Sequence, residues 1–190
     1  ATRRVVAIAP AAPGRVVPDS RAEVVAVEKA LGRARFSVLL GAQATAHAVL
    51  AAAESDAILH FIAHAKANDA DPGSSWIALA PDEDHAGPLE AWEIAKARVR
   101  SPLVVLSACE TAGGRALYGE GVLSLSRSFL RAGALATLAT LWPIGPLASE
   151  FPAAFYGALG SGASAPAAMR SAKRQLRARG VPAFAWAPYQ

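Results

Sequence analysis

The chain contains a single cysteine, Cys109, among its 190 residues, so no disulfide can form within it. No apolar run approaches the roughly 20 residues that a transmembrane helix needs, and residues 1–4 lack the apolar core of a signal peptide. Charged residues are scarce at 18%, whereas hydrophobic residues reach 53%, a balance that excludes an intrinsically disordered chain. These absences predict a soluble, cytoplasmic protein that folds without cross-links and does not bind a membrane.

Positive charge is present but is not concentrated. The formal net charge is +4, and the densest group of basic residues, within 170–179, has the spacing of the solvated face of one helix. We therefore expect no direct contact with nucleic acid. The glycines between residues 113 and 121 match neither the P-loop nor the dinucleotide-binding pattern, so nucleotide binding is only a weak alternative and no cofactor is expected.

Short apolar runs alternate with segments of helical periodicity along the whole chain. The alternation predicts an α/β fold in one domain spanning residues 1–190, with a mostly parallel sheet and helices on both faces. In such sheets ligands bind beyond the carboxyl ends of the strands. A polar excursion or small hairpin is expected between 69 and 87. Strands are predicted at 5–9, 36–40, 57–63, 103–106 and 135–141, and helices at 21–31, 45–54, 89–99, 122–132, 147–159 and 166–179.

Two of the predicted strands end at residues able to carry out nucleophilic chemistry. His64 follows the third strand and Cys109 follows the fourth. If these strands are neighbours, about 4.8 Å apart, the two side chains emerge side by side. An imidazole there can deprotonate the thiol or stabilise its thiolate, and the backbone N–H groups of Ala65 and Cys109 can stabilise an oxyanion. No third group to orient the imidazole is identified.

A metal centre is not expected at this position. His60 and His64 alternate onto one face of the strand, but four residues of strand separate them by about 13 Å, which is too far to hold one metal ion. His60 is therefore predicted to be a packed or hydrogen-bonded residue.

The motifs around this pair resemble a known family. Residues 59–64 are LHFIAH and residues 104–111 are VVLSACET; downstream come GEGVL at 119–123, SRSFLRAGA at 126–134 and LWPI at 141–144. Together they are similar to the CHAT family of caspase-like cysteine peptidases, with the match running from about residue 5 to residue 186.

The resemblance implies a caspase-like three-layer sandwich and a cysteine endopeptidase acting on a protein or peptide substrate. By position, His64 becomes the general base or acid and Cys109 the nucleophile. Ser107 occupies the place of a residue that lines the substrate pocket, and Glu110 and Trp142 are further candidates for that pocket, each with a structural role as its alternative. The family also implies regulation by a partner or by a fused helical-repeat domain.

Two departures from the family pattern favour a second hypothesis. Ala65 stands where the family has glycine after the histidine, and residues 145–147 replace an acidic pair. An alanine disfavours positive φ, so a left-handed backbone at that position would misplace the oxyanion donor. The alternative is therefore a catalytically inactive caspase-like interaction module. The first residue is not methionine, so we also expect that the chain is a piece of a longer protein.

Overall fold

The structure, a computed structural model, describes residues 3–10, 20–68, 70–107, 120–142, 147 and 149–190, with the backbone alone for 120–124. The strands are β1 (Val5–Ala9), β2 (Phe36–Leu40), β3 (Ile58–Phe61), β4 (Ala65–Lys66), β5 (Trp76–Ile77), β6 (Leu89–Glu90), β7 (Val104–Leu106) and β8 (Thr137–Ala139). The helices are α1 (Ser20–Leu31), α2 (Ala46–Ala53), α3 (Ala91–Lys96), α4 (Glu120–Ala132), α5 (Glu150–Gly160) and α6 (Ala165–Ala178).

Five strands form one parallel sheet in the order β2-β1-β3-β7-β8. The predicted parallel sheet is thereby confirmed. Its central strands β1, β3 and β7 are buried along their whole length, as continuous apolar runs in a sheet covered on both faces require. Because β3 pairs directly with β7, the two strand ends that carry the predicted catalytic residues are neighbours in the sheet.

Helices cover both faces of the sheet, which confirms the three-layer α/β sandwich. On one face, Phe61 of β3 packs against Phe129 of α4, with ring centroids 5.3 Å apart, and α2 and α3 belong to the same cluster. On the other face α1, α5 and α6 pack together, and Phe151 of α5 stacks on Tyr189 at 3.9 Å. Across the described ranges, no helix has both the length and the apolar character needed to cross a bilayer.

The predicted excursion is a second, antiparallel sheet in the order β4-β5-β6. It draws Leu89 and Glu90 into β6, so α3 is shorter than the predicted 89–99. The Glu90 side chain caps α3 reciprocally with that of Glu93, and the helix ends before Ala97, whose backbone is extended. Strand β4 begins directly after His64 and so joins the small sheet to the candidate site.

Gly133 ends α4 in a conformation that other residues adopt with difficulty. Its φ is +118°, its N–H donates to Leu130, and the next N–H, that of Ala134, donates to Phe129, which together form a Schellman motif. A Cβ at this position would lie 2.5 Å from the backbone carbonyl oxygen of Val99. The tight junction between α4 and β8 therefore requires glycine.

The variant Gly133→Ala is expected to lower the free energy of unfolding by about 2–4 kcal/mol, because left-handed strain and a backbone clash add together. Gly157→Ala is the matched control: residue 157 is inside α5, and apart from its chain neighbours and the nearby backbone of that helix no heavy atom of the described residues lies within 4 Å of the added Cβ. It should stabilise the fold by about 0.5–1 kcal/mol. Urea unfolding followed by circular dichroism measures both, and equal effects of the two changes would contradict the assignment.

Candidate active site

The pairing of β3 with β7 sets side by side the strand ends that precede the two predicted catalytic residues. Phe61 lies opposite Leu106, and the N–H of Ser107 donates to the Phe61 carbonyl at 2.9 Å, extending the pairing by one residue. His64 comes three residues after Phe61 (64 − 61 = 3), and Cys109 comes three residues after Leu106 (109 − 106 = 3). Cys109 and Glu110 lie outside the described residues, so their proximity to His64 stays a prediction.

His64 lies at the junction between the large and the small sheet. On its amino side, the N–H of Ile62 donates to the Ile8 carbonyl at 2.8 Å, which continues the large sheet. The carbonyl of His64 itself accepts from the N–H of Ala78 at 2.7 Å, which begins the small one. The side chain is half-buried and its Nε2 atom is shielded from solvent. The backbone that carries the imidazole is thus held on both sides.

Ala65 has an extended backbone in β4, opposite Ile77 of β5. Because His64 and Ala78 form a hydrogen-bonded pair, alternation along an antiparallel ladder makes Ala65 and Ile77 a non-hydrogen-bonded pair. The N–H of Ala65 therefore points away from β5 and is not consumed by β4–β5 pairing. Among the described residues only glycines have positive φ, so alanine at this position causes no left-handed strain.

Ser107 and Trp142, two predicted pocket residues, both contact the C-terminal segment. The Oγ of half-buried Ser107 lies 3.4 Å from the hydroxyl of Tyr189. Trp142 donates its indole N–H to the Phe184 carbonyl at 3.2 Å, with 36% of the residue exposed. These contacts place both side chains beside C-terminal residues of the chain, Ser107 beside Tyr189 and Trp142 beside Phe184. Their roles in a substrate pocket stay predictions.

The same segment is attached firmly to the rest of the fold. The N–H of Ala139 at the end of β8 donates to the Gln190 carbonyl at 2.7 Å, and the N–H of Gln190 donates back at 2.8 Å. Lys173 of α6 donates to the carbonyl of Tyr189 at 2.7 Å, and burial lowers the pKa of this lysine below its ordinary value. Ser107 and Trp142 therefore contact a fixed surface.

His60 is buried beside a carboxylate that the sequence analysis missed. Its Nε2 lies 3.0 Å from Oε1 of Glu23 on α1, and the exposed fractions of the two side chains are 0% and 2%. The ring of Tyr156 on α5 packs against the imidazole at 5.3 Å. Burial, and after it the negative charge of Glu23, raise the pKa of Tyr156 well above its ordinary value. The prediction that His60 is packed or hydrogen-bonded is confirmed.

A signal for Glu23 exists in the sequence. The buried positions of α1 are Glu23, Val27 and Leu31, spaced four apart, so the glutamate lies on the apolar stripe of the helix. A carboxylate on such a stripe is almost never buried without a partner. His60, in the fully buried strand β3, is the residue that serves as the partner of Glu23. Over the described part of the chain, no group of three or more His, Cys, Asp or Glu side chains is arranged to hold a metal ion.

His85, which the sequence did not single out, ties the segment between β5 and β6 to α3. Its Nε2 lies 3.0 Å from Oε1 of Glu93, and its Nδ1 accepts the N–H of Gly87 at 3.2 Å. Since Nδ1 is the acceptor, the proton of the neutral ring is assigned to Nε2, which donates to the carboxylate. Glu93 also accepts the N–H of Glu90 at 2.8 Å. The role of His85 is to hold the start of α3.

Comparison with known proteins relates the chain to one family. The model of the CHAT domain matches residues 6–190. Among curated proteins, the chain is similar to tetratricopeptide repeat protein 28 of Mus musculus, at 38% identity over 90 residues, and to its counterpart in Homo sapiens, at 34% over 90 residues. Each of these matches covers 47% of the chain but only 4% of the relative, so the similarity concerns a small part of two much longer proteins.

Proposed function

The chain belongs to the CHAT domain family, and on this basis we propose that it is a cysteine endopeptidase with Cys109 as nucleophile and His64 as its acid and base. One observation carries the proposal. Strands β3 and β7 are direct neighbours, and the two residues follow the opposed pair Phe61 and Leu106 by the same three positions. That register favours contact between the imidazole and the thiol at the rim.

The proposed reaction is an acyl transfer in two halves. The Cys109 thiolate attacks the scissile carbonyl carbon, and the oxyanion that forms accepts hydrogen bonds from the backbone N–H groups of Ala65 and Cys109. Protonated His64 gives its proton to the leaving amine as the C–N bond breaks, leaving a thioester. His64 then takes a proton from water, hydroxide adds to the thioester, and the thiolate leaves as the acid product forms. The direction of the Ala65 N–H away from β5 supports its part in this scheme.

The substrate in this proposal is a protein or peptide, and the site of action is the cytoplasm. Regulation by a flanking helical-repeat domain or by a partner is part of the proposal. Support comes from the two relatives, which are named for tetratricopeptide repeats, and such repeats build extended helical surfaces for binding. Ser107, Glu110 and Trp142 are proposed to line the pocket for the substrate side chain before the scissile bond.

A catalytically inactive interaction module is the second candidate function. One observation favours it: residues 145–147 depart from the acidic pattern of the family. The extended backbone of Ala65 removes one argument for this alternative, because alanine is not strained there. The two candidates differ in one measurable property, the reactivity of Cys109.

Alkylation of the thiol tests the proposal without knowledge of the substrate. Cys109 is the only cysteine, so the iodoacetamide reaction reports on one site. If His64 lowers the pKa of the thiol, the thiolate fraction near pH 6.5 rises by more than the nucleophilicity falls, for a net gain of roughly 5- to 10-fold. The native chain should therefore react that much faster than the same chain unfolded in guanidinium chloride.

His64→Ala should remove this advantage, and His47→Ala is the matched control because His47 is exposed on α2. The rate of the control should equal that of the native chain over the whole range from pH 5 to pH 9. A native chain that reacts no faster than the unfolded one, with no change on removing His64, would favour the inactive module.

A further inference from the structure

A groove of about 380 Å³ lies between α3 and α4, on the face of the sheet opposite α6. Its floor includes the small side chains of Ala91 and Ala95, and Trp92 stands beside them with 47% of the residue exposed. We call it the α3–α4 groove. Neither His64 nor Ala65 lines the groove, and of its lining residues only Ala91 belongs to the buried core. The charged and aromatic side chains of the groove have no part in the proposed reaction.

Three positive charges line the α3–α4 groove: Lys96 on α3, and Arg127 and Arg131 on α4. The two arginines are four residues apart, so they lie on one face of α4 with Cβ atoms roughly 6 Å apart. Within the described ranges, no lining side chain of the groove is acidic, and none of the three cations forms an ion pair within 4 Å. Such a site attracts negative charge.

Trp92 gives the groove an apolar contact surface that is held in place. Its indole N–H donates to the carboxylate of Glu90, and the ammonium group of Lys96 lies 4.6 Å from the centre of the ring. The ring is thus restrained on two sides while almost half of the residue remains exposed. Tryptophan and arginine are among the residue types enriched at the positions that dominate the binding energy of protein interfaces.

We propose that the α3–α4 groove binds an acidic segment of a protein partner, with carboxylates on Arg127 and Arg131 and an apolar side chain against Trp92. Charge complementarity is the argument for an acidic occupant. The volume suits a few side chains rather than a folded domain. A nucleic acid fits less well, because Lys96 occupies one face of the Trp92 ring that a base would stack on. The basic residues of α6 are on the opposite face of the sheet, so they do not extend the positive charge of the groove into a track for a strand.

The groove is connected to both segments that carry the proposed catalytic residues. Helix α3 directly follows β6, which pairs through β5 with β4, the strand that begins after His64. Helix α4 begins at Glu120, eleven residues after Cys109 (120 − 109 = 11). An occupant therefore contacts two helices that are linked to these segments, α3 through the small sheet and α4 through the chain. This makes the groove a suitable place for a regulatory partner. That last step depends on the proposed function, whereas binding itself does not.

Fluorescence anisotropy tests the binding, with a short fluorescein-labelled peptide of glutamates around a central phenylalanine as the probe. Saturable binding is expected, and the same peptide with glutamine in place of glutamate should bind at least about tenfold more weakly. The double variant Arg127→Glu/Arg131→Glu should raise the Kd at least about tenfold, and Trp92→Ala at least about fivefold.

The matched control is Arg170→Glu/Arg174→Glu, which makes the same charge change at the same spacing on exposed positions of α6. It should change the Kd by less than about threefold, which is the screened effect of net charge alone. Equal losses in the two double variants, or no saturable binding of the acidic peptide, would overturn the proposal. The proposal would also be overturned if a single-stranded oligonucleotide bound more tightly than the peptide and lost affinity in Arg127→Glu/Arg131→Glu but not in the control. Every readout in this experiment is a binding measurement. A negative result would therefore not affect the peptidase proposal, and absence of cleavage would not affect the proposal that the α3–α4 groove binds an acidic segment.

Discussion

Replacing Cys109 by alanine is expected to lower kcat/KM for peptide cleavage by at least about 10³-fold, because the nucleophile of an acyl transfer cannot be replaced by the remaining groups of the site. The chain has no second thiol that could take over. His64→Ala should cost about 10²- to 10⁴-fold, since it removes acid and base catalysis while leaving the thiol in place. Cleavage of a fluorogenic peptide library, by the chain together with any domains that flank it, measures both losses.

The comparison needs a histidine whose removal changes nothing else. His47→Ala meets that need, because the side chain is exposed on α2 and should keep activity within about twofold. Cleavage that survives in Cys109→Ala at the native rate would eliminate Cys109 as the nucleophile. A native chain that cuts no peptide in the library, with its flanking domains present, would leave the inactive module as the better description.

Much of the architecture was predictable because buried parallel strands have a strong sequence signal. The run from Leu103 to Leu106 is apolar throughout and contains the core strand β7, and the βα alternation predicts the correct class of sheet. Element ends were less predictable. The apolar character of Leu135 predicts a strand residue, yet Leu135 is 77% exposed and β8 begins only at Thr137. Hydrophobicity alone does not distinguish a strand residue from an apolar residue in the turn before it.

The small sheet shows a second limit of local patterns. Strands of two residues, such as β4 and β6, carry no periodicity, and only their pairing with β5 creates them. Leu89 and Glu90 were therefore assigned to the helix that follows. For the candidate site, the neighbouring positions of β3 and β7 followed from assuming that these strands pair, which the structure confirms. The distance between His64 and Cys109 depends on the segment after Ser107, and it stays a prediction.

Removing His60 is the change with the largest expected effect on stability. His60→Leu leaves the carboxylate of Glu23, 2% exposed, without its imidazole partner inside an apolar layer formed by α1, α5 and the sheet. Breaking a buried pair by deleting one member costs about 3–5 kcal/mol, since the remaining charge loses its compensation.

The double variant Glu23→Leu/His60→Leu separates the cost of an unpaired charge from the value of the pair. Replacing both members by apolar side chains of similar volume is expected to restore the free energy of unfolding to within about 1.5 kcal/mol of the native chain. Urea unfolding of the native chain, the two single variants Glu23→Leu and His60→Leu, and the double variant gives the coupling energy directly. If the double variant were as unstable as His60→Leu, the destabilisation would come from packing around Tyr156 rather than from the lost partner. The expected recovery means that each of the two side chains is needed only because the other is present. This explains why a carboxylate on the apolar stripe of α1 is tolerated.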